Sequence, residues 1–138
     1  MEELSGHTIV CGYGVVGQRI VETLVEHGIK FIIVEFNHDV AQKSRERGYN
    51  VVEGDATSSR VLKAAGIASA KAIAIAMDND AKNLFTVLTA RDLNKDIFIS
   101  TRANDRLVRE KMLEAGADHI VMPQMSASEE IIAEITKQ

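Results

Sequence analysis

The chain has 138 residues, of which 46% are hydrophobic and 26% charged, with a formal net charge of −4; this is the size and balance of one globular domain with a real core. No basic tract offsets the acidic balance, which argues against DNA or RNA as a partner, and the longest unbroken apolar run, Ala72 to Met77, is far too short to cross a bilayer. Cys11 is the only cysteine, which excludes an internal disulfide, and the start, Met1-Glu2-Glu3-Leu4-Ser5-Gly6, lacks the basic cluster and apolar core of a secretory signal, so a reducing cytosolic compartment is expected.

In chain order, Thr8-Ile9-Val10-Cys11 reads as a first strand, and Cys11 at its end as a small buried side chain rather than a nucleophile. Gly12-Tyr13-Gly14-Val15-Val16-Gly17 turns the chain into an amphipathic helix. Its segment Gln18 to His27 carries Ile20, Val21, Leu24 and Val25 at helical spacing and stops at Gly28. Lys30 to Val34 is a second strand, ending in Glu35. Asn37 or Asp39 caps a short helix from Val40 to Arg47, Gly48 ends it, and Asn50 to Glu53 is strand three. After Gly54-Asp55-Ala56, the hydroxyls of Thr57-Ser58-Ser59 suit the cap of a helix from Arg60 to Ala65, closed by Gly66.

Lys71 to Ala76 is strand four, small and apolar enough for a central parallel strand, although its Ala/Ile alternation also permits unequal packing on the two faces. Asp78-Asn79-Asp80 caps a longer helix to about Leu93. Ile97 to Thr101 is strand five, Asn104-Asp105 caps a helix to Ala115 that Gly116 ends, and His119 to Met122 is strand six. Pro123, the only proline, marks the exit from that strand. Ser126 and Glu129 have capping-box spacing at the start of a last helix, on which Ile131, Ile132 and Ile135 form an apolar stripe. That stripe can pack on its own domain or meet a second subunit; with no further chain to cover it, the second is expected.

Six strands alternating with helices predict an α/β fold, a Rossmann-like doubly wound parallel six-stranded sheet of order 3-2-1-4-5-6 with helices on both faces. Ligand then sits outside the carboxyl ends of the strands, where strands one and four diverge. The residues that follow each strand gather on that rim: Gly12 to Gly17, Glu35-Phe36-Asn37, Gly54-Asp55-Ala56-Thr57, Met77-Asp78-Asn79 and Arg102. Gly12 permits a sharp turn, Gly14 lets backbone approach a phosphate closely, and Gly17 lets helix and strand pack tightly; the helix start adds free N–H groups and partial positive charge. Glu35 lies 18 residues after Gly17 and 23 after Gly12, close to the roughly 20 at which an acidic residue meets the ribose of a bound dinucleotide.

Chemistry beyond binding is poorly represented. The positions four residues after Tyr13 and Tyr49 are Gly17 and Glu53, so no Tyr-x-x-x-Lys pair is present. His7, His27, His38 and His119 lack metal-ligand spacing and read as surface or strand-end residues. Asp78 and Asp80 are better explained as helix caps than as an acid and base. No catalytic or metal-binding residue is therefore assigned, and a stand-alone NAD-dependent oxidoreductase is the alternative reading.

Ile9 to Gly17, Glu35, Gly54-Asp55-Ala56-Thr57, Leu62-Lys63-Ala64-Ala65-Gly66-Ile67, Asp78-Asn79-Asp80-Ala81-Lys82-Asn83 and Ala115 to Pro123 together resemble the RCK or KTN domains, cytoplasmic regulators of prokaryotic potassium channels and transporters. The resemblance spans nearly the whole chain. It implies one Rossmann-like N-terminal domain over residues 1–138, with 124–138 a terminal dimerisation or crossover helix. It also implies a domain that binds NAD(H), ATP, ADP or AMP, pairs as a homodimer, and assembles into a tetrameric or octameric ring that pulls on a membrane-embedded pore at the inner face of the cell membrane.

By that resemblance, Gly12, Gly14 and Gly17 hold the phosphates, Glu35 the adenosine ribose, and Asp55, Ala56 and Thr57 lie near the adenine; Tyr13, Val15, Val16, Phe36, Asn37 and Gly54, which adjoin them on the rim, are counted with them as cofactor-binding residues. Met77, Asp78 and Arg102 face the far half of the ligand. Val15 and Val16 stand where some relatives carry an arginine for a terminal phosphate, so NAD(H) is expected ahead of ATP. Ser100, Thr101 and Arg102 stand where calcium-gated relatives carry two glutamates, so no calcium site of that type is expected. The family's smaller C-terminal subdomain has no counterpart here, and a fragment of a longer chain is expected.

Overall fold

Residues 4–138 are described by a computed structural model of the chain; residues 1–3, part of the segment read for a secretory signal, lie outside it. The element order is β1 (Thr8–Cys11), α1 (Val15–Glu26), β2 (Phe31–Glu35), α2 (His38–Glu46), β3 (Val51–Glu53), α3 (Ser59–Ala64), a 3-10 turn (Ile67–Ser69), β4 (Ala72–Ile75), α4 (Asp80–Leu93), β5 (Phe98–Arg102), α5 (Arg106–Ala115), β6 (His119–Val121) and α6 (Pro123–Thr136). All strands are parallel and run in the order β3-β2-β1-β4-β5-β6. No described helix is long and apolar enough to cross a membrane.

Strand register decides which residues share a face. Val10, Ile33 and Val51 are aligned and pack with Val21 of α1 and Ala41 of α2. Ile9, Ile73 and Ile99 are aligned on the opposite face and pack with Leu62 of α3, Val87 of α4 and Met112 of α5. The first face is therefore covered over β1 to β3 but not over β4 to β6. This resolves the packing of β4: Ile73 and Ile75 are buried on the helix-covered face, whereas Ala72 and Ala74 are half-buried on the other, and Phe98 beside them is 52% exposed.

The caps set the helix starts. Asn37 accepts from the Val40 N–H, Ser58 from Val61, Asn79 from Lys82 and Asp105 from Leu107, each satisfying a donor the first turn leaves free. Two expectations are corrected. Ser126 is not a cap: α6 starts at Pro123, whose missing N–H costs nothing at the first helical position, and the Ser126 N–H already donates to the Met122 carbonyl at 2.9 Å. His7 is a strand-end residue, next to Thr8 at the start of β1, but not a surface one: it is fully buried and its Nε2–H donates to the Ala65 carbonyl at 2.8 Å, which ties the segment before β1 to the end of α3. His27, His38 and His119 are exposed.

Cys11 is fully buried at the end of β1, and desolvation pushes its thiol far up from the ordinary range. A thiol-specific disulfide reagent is therefore expected to leave Cys11 unmodified in the native protein and to titrate one thiol after denaturation. Stoichiometric labelling under native conditions at the rate of a free thiol would contradict its burial.

Candidate functional site

The carboxyl ends of β1 to β5 open into one cleft of about 630 Å³, within the usual range for a small-molecule site, roughly 300–1,000 Å³. Its floor is the glycine turn. Gly12 has φ +96°, a backbone region that suits glycine, and a Cβ there would sit 3.1 Å from Met77 Cγ. A Cβ on Gly17 would sit 1.9 Å from the Gly12 carbonyl oxygen, so Gly17 is fixed by helix-on-strand packing. Gly14 is different: its φ is −82° and a Cβ would meet no atom within 4 Å. The space above Gly14 belongs to the cleft.

Gly14 is also the N-cap of α1, and no side chain caps it. The first N–H groups of α1 thus face the cleft without a side-chain partner, carrying the positive end of the helix dipole. Val15 is 84% exposed at this mouth. A group with several acceptor oxygens and negative charge fits the position.

Glu35 closes the next part of the rim. One carboxylate oxygen accepts the Tyr13 N–H at 2.7 Å and the other the Asn37 N–H at 2.8 Å. These bonds fix the carboxylate beside the glycine turn and leave each oxygen a lone pair for a hydroxyl. Beyond it, Asp55 accepts from the N–H and hydroxyl of Thr57 at 2.9 and 2.8 Å. Those two bonds hold the Asp55 carboxyl below the usual carboxylate range, against the opposing effect of burial and with help from the positive charge of Lys82.

On the far side, Arg102 pairs with Asp78 at 3.3 Å and donates to Asn104 Oδ1 at 3.3 Å. Fully buried Asn83 joins the two strand ends there. Its Nδ2 donates to the carbonyls of Met77 at 2.9 Å and Arg102 at 3.1 Å, and its Oδ1 accepts the Met77 N–H. Asp80 does not cap its own helix; its carboxylate accepts the N–H groups of Asn104 and Asp105 and so holds the turn after β5. Asp78 and Asp80 are thus both committed to structural partners.

The cleft brings together Gly12, Gly14, Val15, Val16, Glu35, Phe36, Asn37, Gly54, Asp55, Ala56, Met77, Asp78, Asn79 and Arg102 from the residues singled out in the sequence. Tyr13, Gly17 and Thr57 do not line it. The Tyr13 ring is buried under α2, with its hydroxyl accepting from Arg47 at 2.7 Å, while Thr57 acts through Asp55. The structure adds Lys82, in the first turn of α4. Its signal was present in the segment Asp78 to Asn83, but only the packing of α4 over the cleft shows that it faces inward. Among the described residues no cluster of His, Cys, Asp or Glu could hold a metal ion.

The TrkA-N domain model matches residues 8–123, which run from the start of β1 to the start of α6. The chain belongs to the TrkA-N domain family. It is 36% identical over 128 residues to the probable potassium channel protein 2 of Methanocaldococcus jannaschii, a match that covers 91% of this chain and 37% of that protein. This TrkA-N chain therefore spans well under half the length of the channel relative it matches. The TrkA-N domain of the Escherichia coli inner membrane protein YbaL has a similar structure, with a TM-score of 0.92, 26% identity, and coverage of 96% of this chain and 98% of that one.

The GsuK channel bound to NAD matches with a TM-score of 0.79 and 26% identity, over 88% of this chain and 22% of that one. GsuK bound to ADP and the Shewanella denitrificans Kef CTD in AMP bound form match at 25% and 26% identity, with TM-scores of 0.77 and 0.78. They cover 86% and 94% of this chain and 31% and 79% of their own. GsuK is thus found bound to NAD and to ADP and the Kef CTD to AMP, within the NAD(H) or adenine-nucleotide class expected for this chain.

Proposed function

We propose that this TrkA-N chain is the ligand-sensing part of a potassium channel or transporter, and that NAD(H) or an adenine nucleotide bound in its cleft biases the arrangement of subunits that gates a membrane pore. The observation that carries this reading is the 2.7 Å hydrogen bond from the Tyr13 N–H to Glu35, which holds the carboxylate expected to meet a ribose beside the glycine turn expected to meet phosphates. The gating half rests on the potassium channel to which the chain is similar. In this reading the domain works on the cytoplasmic side of the membrane as a homodimer within a ring. It has no dehydrogenase activity, since Asp78 and Asp80 are held by Arg102 and by the turn after β5 rather than poised to move a proton.

The test is calorimetric titration with NAD, NADP, ADP and AMP, paired with thermal melts. NAD or an adenine nucleotide is expected to bind and NADP to bind more weakly, because Glu35 accepts a ribose hydroxyl but repels a 2′-phosphate. At a hundredfold excess over Kd, a ligand that binds only the folded state adds about 2.7 kcal/mol of stability and raises Tm. NADP binding as tight as NAD would remove the role of Glu35, and no binding by any of the four would overturn the sensor reading.

A further inference from the structure

Resting on that nucleotide reading, we infer that Phe36 and Lys82 form a clasp over the base end of the cleft, the ring serving as the stacking surface for the base and the ammonium closing against it. The order of groups in any nucleotide sets the direction. With phosphates at the start of α1 and ribose at Glu35, the base must continue beyond Glu35, away from Gly14. That end is lined by Phe36 and Asn37 after β2, Gly54 to Ala56 after β3, and Lys82 from α4.

Most of the polar groups there are already committed. Asn37 Oδ1 accepts the Val40 N–H at 3.0 Å as the cap of α2, Asp55 is held by Thr57, and Glu35 takes two N–H groups. The side chains of Phe36 and Lys82 make no hydrogen bond among the described residues, although the Lys82 charge also acts at a distance on Asp55. Phe36 is 66% exposed, and the Lys82 ammonium lies 5.1 Å from its ring centroid. Lys82 makes no ion pair among the described residues. The two side chains come from opposite lips, the turn after β2 and the first turn of α4, so their contact spans the mouth.

A base stacked on Phe36 would lie about 3.5–4.0 Å above the ring, in the space that the ammonium now overhangs. Lys82 must therefore swing outward as the base enters and can then settle on the base's other face, exchanging one aromatic partner for another. Both side chains are exposed, so this movement disturbs no core packing. The clasp acts on the base alone. Its contribution is the same for AMP, ADP and NAD, which share the adenosine half.

The experiment is calorimetry of AMP, ADP and NAD with the parent chain, Phe36→Ala, Lys82→Met, Lys82→Arg and the double variant Phe36→Ala with Lys82→Met, with melts to check folding. Phe36→Ala is expected to weaken all three ligands by the same factor, about tenfold to a hundredfold, as base–aromatic stacking does elsewhere. Lys82→Met should cost a smaller common factor of about three- to tenfold, and Lys82→Arg should restore it. The double variant should lose less than the product of the two single losses, because both side chains act on one base. A Lys82→Met loss that grows from AMP to ADP would make Lys82 a phosphate ligand and overturn the clasp. Unchanged affinity in both single variants would overturn it too. A parent chain that binds none of the three ligands fails the nucleotide reading itself, a result distinct from either.

Discussion

Gly14→Val is expected to abolish nucleotide binding while leaving a folded domain. The three glycines of the turn separate cleanly in this respect. Gly12 adopts φ +96°, and Gly17 has no room for a Cβ, so substitutions there damage the turn itself and a loss of binding would say nothing about the site. Gly14 has a φ any residue can adopt and open space where a side chain would begin. Valine there would fill the part of the cleft above the first N–H groups of α1, where phosphates must approach the backbone. The penalty to the fold is the exchange of glycine for a poorer N-cap residue, about 1 kcal/mol or less. Calorimetry with NAD and AMP, together with a melt, checks both halves. Normal binding by Gly14→Val would place the nucleotide elsewhere, and an unfolded variant would mean that Gly14 carries a structural load its surroundings do not reveal.

The sheet order was legible in the sequence because each strand is a short apolar run bounded by glycine or a capping residue, and right-handed crossovers leave few ways to arrange six such strands. The rim followed from the same rule, since residues after parallel strands share one edge. What the sequence did not carry were contacts made across the chain. His7 bonds to Ala65, 58 residues away, and nothing in the pattern around His7 marks it as buried. Lys82 enters the cleft because α4 packs beside β4 and β5, a fact of assembly rather than of local spacing. Ser126 and Glu129 satisfied a local rule for a helix start, but Pro123 had already begun the helix three residues earlier. The sequence also does not show that the Tyr13 ring packs under α2 or that the Thr57 hydroxyl serves Asp55, since both are contacts of the assembled fold.

The largest expected change in assembly comes from α6. A sensor can drive a pore only when its ligand favours one arrangement of subunits over another, and such coupling needs an interface. No residue of α6 is buried, and Ile131, Ile132 and Ile135 are 60%, 55% and 60% exposed, on a helix whose other face carries Glu130 and Glu134. An exposed apolar stripe of this kind marks an interaction surface, and two-fold pairing of like surfaces is the commonest way to cover one. The parent chain is therefore expected to be at least a dimer in solution, and Ile131→Asp with Ile135→Asp to be a folded monomer. Each isoleucine buried in the interface is worth roughly 1.5–3 kcal/mol, and an aspartate in its place brings an unpaired charge that must stay in water. Since α6 contributes no buried residue to its own domain, the melting temperature of the monomeric variant should fall only by what dimer formation adds. Light scattering at high concentration decides the first point: a monomeric parent chain would sink the dimer. Loss of the folded state in the double variant would instead assign the stripe to the domain's own core, against the exposure of all three isoleucines.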